Sequence, residues 1–131
     1  KTSIKLKGIV DRIDKRNDII RIIDYKTGLI KENEVLVKDI ASCFNATKTK
    51  SMQLLCYALM HLKNNEEHRD VQAGLFSLRN IKQGLLKFGI REGFKTTNWT
   101  ITNNEAGMFE DYLKKLVCEI MDPNIAFPSR P

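Results

Sequence analysis

Apolar and polar positions alternate in two runs at the start of the chain. Ile4, Leu6, Ile9, Val10 and Ile13 form the first, and Ile19, Ile20, Ile22 and Ile23 form the second. Between them Asp14-Lys15-Arg16-Asn17-Asp18 is polar and turn-forming, so the first 26 residues predict a β-hairpin. Residues 27–46 open with a Thr27-Gly28 break and show no clear period. Leu54, Leu55, Ala58, Leu59 and Leu62 then recur at helical spacing and predict a helix over about 48–62, with Asn45 or Thr47 as its cap. After the polar stretch Lys63–Asp70, strand-like runs lie near 71–79 and 85–91. Phe109, Tyr112, Leu113, Leu116, Val117 and Ile120 form one stripe, predicting a last helix over about 104–121. Thr102 and Glu105 have capping-box spacing at its start, and Pro123 stops it. The order β-β-α-β-β-α predicts an α/β fold with a mixed central sheet flanked by helices.

Composition narrows the class. A chain of 131 residues fits one domain, and 42% hydrophobic residues is ordinary for a globular protein, which excludes disorder and collagen-like repeats. No apolar run approaches the ~18 residues of a membrane span, so no membrane partner is expected. Three cysteines at unrelated spacings (Cys43, Cys56, Cys118) argue against a disulfide framework and for a reducing compartment, hence a cytoplasmic location. The chain begins on Lys1 just before a strand-like run and closes on Pro-Ser-Arg-Pro, with no signal-peptide pattern, so a fragment of a longer polypeptide is expected. The formal net charge is +6. Residues 1–50 hold 12 basic and 7 acidic side chains and carry nearly all of the excess, which hints at a polyanionic partner.

The hairpin also holds the candidate chemistry. Side chains alternate along a strand, so Asp11 shares a face with Ile9 and Ile13, while Asp24 and Lys26 share one with Ile20 and Ile22. A carboxylate on an apolar face is expensive unless paired. If Asn17-Asp18 is a two-residue turn, Asp11 lies opposite Asp24 and Ile13 opposite Ile22, with opposed Cβ atoms ~4.5–5.5 Å apart. A loop longer by two residues keeps the faces and shifts the pairing. Two carboxylates at that distance share a proton or a cation. Lys26, ~6.5–7 Å along the same face from Asp24, is placed to position an attacking water and to stabilise charge building on a phosphate, which is metal-assisted phosphodiester hydrolysis. The competing reading is an edge hairpin with an ordinary Asp–Lys pair.

Gly8-x-x-Asp11-Arg12-Ile13-Asp14, then Ile22-Ile23-Asp24-Tyr25-Lys26-Thr27-Gly28, then Gln53-x-x-x-Tyr57-Ala58 together resemble the RecB/AddB-like exonuclease branch of the PD-(D/E)XK nucleases. The motifs span about residues 4–60, and the remainder is similar in element order alone. The resemblance implies a restriction-endonuclease-like core, Mg²⁺ or Mn²⁺ held by Asp11, Asp24 and the Tyr25 main-chain carbonyl, Lys26 as catalytic lysine, and Gln53 and Tyr57 lining the active site. It further implies DNA as substrate, single-stranded ends fed by a helicase domain or subunit, and a role in recombinational repair. Gln53 and Tyr57 are i and i+4 and so share a helix face; alone, such a pair reads as a solvated Gln and a core Tyr. The family usually carries a further acid on a helix upstream of the first strand, which this chain lacks. Many relatives bind an iron–sulfur cluster, but the spacing of Cys43, Cys56 and Cys118 does not provide one. Because the stretch from Asp122-Pro123 to Phe127-Pro128 resembles the lead-in to that cysteine group, a cluster is an expectation for the longer parent protein. Without the upstream acid, a non-catalytic nucleic-acid-binding domain that keeps the fold is the alternative, and an unrelated α/β interaction domain the third.

The remaining polar features have ordinary readings beside functional ones. Lys48 and Lys50 could meet a phosphate backbone or form a solvated helix end. Arg79, Lys82, Lys87, Arg91 and Lys95, interspersed with Phe88, Phe94 and Trp99, read as a single-stranded-DNA groove or as a lysine-guarded sheet edge. Asp14 and Arg21 are expected to pair on the face opposite Asp24. Cys56 reads as core, and His61 and His68 as surface or helix-end residues.

Overall fold

The computed structural model describes residues 10–65, 67, 70–92 and 95–121. Ile4, Leu6, Gly8, Ile9, His68, Phe94, Pro123 and the tail to Pro128 lie outside the described residues.

The hairpin has the register of the two-residue turn. Strand β1, Arg12–Arg16, pairs antiparallel with β2, Ile19–Lys26, with Ile13 opposite Ile22 and Asp14 opposite Arg21. Asn17 and Asp18 have φ of 52° and 64°, as a type I′ turn requires of both central residues, and Asn and Asp are the non-glycine residues that best tolerate it. The expected turn over Asp14–Asp18 is therefore too long. Asp14, Lys15 and Arg16 belong to the strand, and the Asp14 carboxylate accepts from Nε and Nη2 of Arg21, each at 2.8 Å.

Beyond β2 the periodless stretch is not a simple loop. Short 3-10 turns at Glu32–Glu34, Ile40–Phe44 and Ala46–Lys48 enclose strand β3, Leu36–Val37. Helix α1, Thr49–Asn64, follows, and Asn45 caps the 3-10 turn that feeds it through a bond from the Thr47 amide at 3.0 Å. The first turn of α1 holds this segment down. Lys48 Nζ donates to the carbonyls of Asn33 and Leu36, Ser51 Oγ to the carbonyl of Glu34 at 2.6 Å, and Lys50 pairs with the Glu34 carboxylate at 3.1 Å. Lys48 and Lys50 are thus not a freely solvated helix end. Their charges already face oxygen partners within the fold.

Strands β4, Asp70–Ser77; β5, Leu85–Lys87; β6, Gly89–Glu92; β7, Lys95–Asn98; and β8, Ile101–Thr102 precede helix α2, Asn103–Met121. The run expected near 85–91 is two strands in two sheets. The larger sheet has the order β1-β2-β4-β5, with β8 also on β4, and the smaller has the order β3-β6-β7. β2 and β4 are parallel, Ile20 beside Val71 through Lys26 beside Ser77, with α1 in the crossover that a parallel pair needs. β2 is consequently an interior strand and not the edge of a hairpin. The result is the expected mixed sheet flanked by helices, consistent with a restriction-endonuclease-like fold.

The core lies between the sheet face of Ile22, Val71, Ala73 and Leu75 and the α1 stripe of Leu54, Leu55, Ala58, Leu59 and Leu62, all buried. The capping box of α2 forms as read, the Thr102 amide and hydroxyl both donating to Glu105 Oε1. Only its first turns enter the core, where Phe109 stacks on Phe44 at 5.4 Å. Of the expected stripe, Phe109 is buried and Leu113 packs against the core, while Tyr112 and Ile120 stand exposed. Among the described residues no helix is long and apolar enough to cross a membrane.

Gly74, in the middle of β4, admits β5 closely: a Cβ there would stand 2.9 Å from the Leu86 carbonyl oxygen and from Leu85 Cδ1. Backbone cannot retreat as a side chain can. Gly74→Ala should therefore lower stability by about 1–3 kcal/mol, read as a lower urea midpoint with an unchanged m-value.

Candidate active site

Asp24 lies near the end of β2, between β1 and β4, and is only 6% exposed. Its position inside a three-strand ladder, facing the core side, follows from the isoleucine run that carries it there. A buried carboxylate needs partners, and this one has an incomplete set. Lys26, two residues on and on the same face, brings Nζ to 2.8 Å from Oδ2. The approach makes an ion pair without hydrogen-bond alignment, so Oδ2 is buried with no hydrogen-bond donor. Burial pushes the Asp24 carboxyl above its ordinary range; Lys26 opposes this, and hydrogen bonding to Asp11 reinforces it.

Asp11 sits at a bend immediately before β1, exposed, and its Oδ2 accepts from the Tyr25 amide at 2.9 Å. That amide holds its carboxyl below the ordinary value, with the hydrogen bond to Asp24 second. The two carboxyls face each other across the hairpin, as the register requires. Their environments pull them apart, the open one toward ionisation and the buried one toward keeping the shared proton.

Lys26 connects this pair to α1. Its Nζ donates to Gln53 Oε1 at 2.8 Å, and Gln53 Nε2 donates to the Tyr57 hydroxyl at 3.0 Å. The i, i+4 spacing puts Gln53 and Tyr57 on one helix face; the ammonium, a donor only, takes the amide oxygen, and the hydroxyl accepts from the amide nitrogen. The ordinary reading of this pair is half right: Tyr57 packs against the core, but Gln53 is bonded on both sides. Beside this chain lies an open groove of about 550 Å³, lined by Lys26, Thr49, Lys50, Met52, Gln53 and Cys56. Cys56 is half-buried on its wall and not enclosed in the core, and burial raises its thiol pKa.

The sequence-predicted residues Asp11, Asp24, Tyr25, Lys26, Gln53 and Tyr57 thus form one connected set. Others do not join it. Phe88 is 1% exposed and cannot stack on a base. Lys87 lies over the Trp99 ring, 5.4 Å from its centroid, and strand alternation turns it away from the face that Leu86 shares with Asp24's neighbour Leu75. Sequence reading missed Ser77, which is buried. Its hydroxyl donates to the Gly28 carbonyl at 2.7 Å and accepts from the Asn80 amide at 3.2 Å, fixing the exit of β2 just past Lys26. A lone serine ending an apolar strand run was the available signal.

With both carboxyls ionised, as a bound cation would require, the two acids exceed the one lysine beside Asp24 by a negative charge, and Asp24 Oδ2 has no aligned hydrogen-bond donor. This donor set, all oxygen, fits a hard divalent cation. Among the described residues no third His, Cys, Asp or Glu joins the pair.

Paired carboxylates and a lysine at the carboxyl end of a parallel strand are the ingredients of metal-assisted hydrolysis. The profile of the PD-(D/E)XK nuclease superfamily matches residues 1–130, and the chain belongs to that superfamily. Its members are generally nucleases that use divalent metal ions. No curated protein and no solved structure matches the chain.

The raised Asp24 pKa sets a sign. Between the ordinary value of 3.8 and the raised native one, the native state binds more protons than the unfolded state, so stability falls as pH rises through that window. Without divalent ions, Asp24→Asn should therefore have a higher Tm than the parent at pH 7, with the gap closing as pH falls through that window toward about 4. Thermal unfolding across that range checks it.

Proposed function

We propose that the chain is the nuclease core of a RecB/AddB-like DNA exonuclease, acting with a helicase partner on single-stranded ends in recombinational repair. The observation that carries the reading is the continuous set of contacts Asp11–Asp24–Lys26–Gln53–Tyr57, which draws at least one residue from each of the three motifs. Its support is the superfamily membership together with these motifs.

In this reading Asp11, Asp24 and the Tyr25 carbonyl would hold Mg²⁺ or Mn²⁺. Such an ion, when bound, supplies positive charge to the phosphodiester oxygens and lowers the pKa of bound water. The chain's own residues do the rest. The Tyr25 amide keeps Asp11 ionised and aimed at Asp24. Lys26, held between Asp24 and Gln53, presents a fixed cation where negative charge develops on the phosphate and orients the attacking water by hydrogen bonding. Lys26, a donor only, sets the Gln53 amide with its oxygen inward, and Tyr57 anchors the other end of that amide. The β1–β2 ladder keeps the Asp11 end of the site from spreading.

The test is degradation of end-labelled DNA by the full-length protein with Mg²⁺ or Mn²⁺. Activity should vanish with chelator and fall at least about 10²–10³-fold in Asp11→Ala, Asp24→Ala and Lys26→Ala. Tyr57→Phe, which leaves Lys26 and both acids in place, should cost less, on the order of tenfold. Salt-dependent DNA binding with no divalent-dependent cutting would identify a non-catalytic binder, and neither binding nor cutting an interaction domain.

Divalent ions should also raise the Tm of the parent, by an amount that grows with concentration as binding to the native state alone requires. Asp24→Ala should lose that rise. Calorimetry with each ion in turn reads this without any assay of cutting.

A further inference from the structure

Leu29, Leu78 and Ile81 are among the most exposed large apolar side chains of the protein, at 65%, 52% and 65%. They come from two separate loops that the fold ties to one place. The Leu78 amide donates to the Lys26 carbonyl at 2.8 Å, Ser77 Oγ to the Gly28 carbonyl, and Gln83 Nε2 to the Ile30 carbonyl at 3.1 Å. Three bonds therefore stitch residues 26–30 to residues 77–83 at the carboxyl end of the parallel pair β2 and β4. In α/β sheets that end is where ligands sit, and here it begins one hydrogen bond from Lys26.

Other large apolar side chains such as Ile13 and Ile120 are exposed singly, but three brought to one cross-braced lip make a patch of the kind that marks an interaction site. Charge identifies the partner. Leu78 is followed by Arg79 and Ile81 by Lys82, both exposed and neither in an ion pair among the described residues. Lysines nearer the acids are committed: Lys26 to Asp24, Lys50 to Glu34 and Lys48 to two carbonyls. A surface alternating apolar and cationic groups is complementary to unpaired nucleic acid, whose bases are flat and apolar and whose backbone is anionic. An apolar side chain can also wedge between successive bases.

We propose that Leu29, Leu78 and Ile81 form a base-contacting lip beside the active site, with Arg79 and Lys82 on the flanking phosphates, so that the chain engages unpaired nucleotides next to the bond it cuts. The proposal rests on the nuclease reading for the position of that bond, and it predicts a binding property that can be measured without cutting. It also moves the single-stranded-DNA surface expected around Arg79–Trp99 to the loop between β4 and β5, where Arg79 and Lys82 remain available and Phe88 is not needed.

The test is fluorescence anisotropy of the full-length protein with two single-stranded oligonucleotides of equal length, one ordinary and one with abasic sugars, in chelator so that neither is cut. The parent should bind the ordinary oligonucleotide more tightly. The double variant Leu29→Ser, Ile81→Ser should lose roughly fivefold to tenfold on the ordinary oligonucleotide and nothing on the abasic one, with an unchanged Tm, since both side chains are solvent-exposed. Arg79→Ala with Lys82→Ala should weaken both equally and reduce the salt slope by about 0.7 for each lost contact. Equal binding of the two oligonucleotides by the parent, or an unaltered preference in the double variant, overturns the lip even if the protein degrades DNA. A preference abolished by the double variant in a protein that never cuts DNA upholds the lip while the nuclease reading falls.

Discussion

The structure is organised around a carboxylate placed where carboxylates are least stable. Asp24 occupies an interior strand, hydrogen-bonded to neighbours on both sides, on the face that otherwise makes the core. A leucine there would pack against α1 and strengthen the fold. The acid instead imposes requirements on everything near it. Lys26 must approach to offset the charge, Gln53 must hold Lys26, and Tyr57 must hold Gln53. Burial that is paid for by nothing but function is a common mark of an active site, and the incomplete satisfaction of Oδ2 expresses it here at the level of one atom.

The supporting elements can be understood from that requirement. α1 is both the crossover that lets β2 and β4 run parallel and the carrier of Gln53 and Tyr57, so the topology that builds the sheet also delivers the second half of the site. Its first turn is fixed by Lys48, Ser51 and the Lys50–Glu34 pair, which bind the preceding segment to the helix end. Ser77 does the same for the strand end. The site thus rests on regular elements whose termini are tied, and not on free loops, which is how side chains are kept near a productive geometry.

Much of this was legible in the residues because period-2 and period-3.6 patterns are strong where one face is buried. The hairpin register followed from Asn17-Asp18, the facing of Asp11 and Asp24 followed from the register, and the α1 stripe is buried as read. What was not legible depended on tertiary context. Two-residue strands such as Leu36–Val37 and Ile101–Thr102 are too short to show a period, and the split of 85–92 between two sheets leaves no trace in composition. The roles of Lys48 and Lys50 were hidden because their oxygen partners come from the 3-10 segment, which has no pattern. Tyr112 and Ile120 fit a helical stripe, but which of its positions another element covers cannot be read from the helix.

The parallel pairing of β2 with β4 has a consequence for how the protein comes to life. Lys26 and Ser77 become neighbours only after the whole intervening helix and its leading segment have closed a long loop, and such non-local contacts form late and slowly. The hairpin with both acids can form early from local contacts, but it lacks the helix face that holds the lysine. Partly folded chains, including those still emerging from the ribosome, therefore carry the carboxylates without the means to orient Lys26. Competence arrives with the last large step of folding.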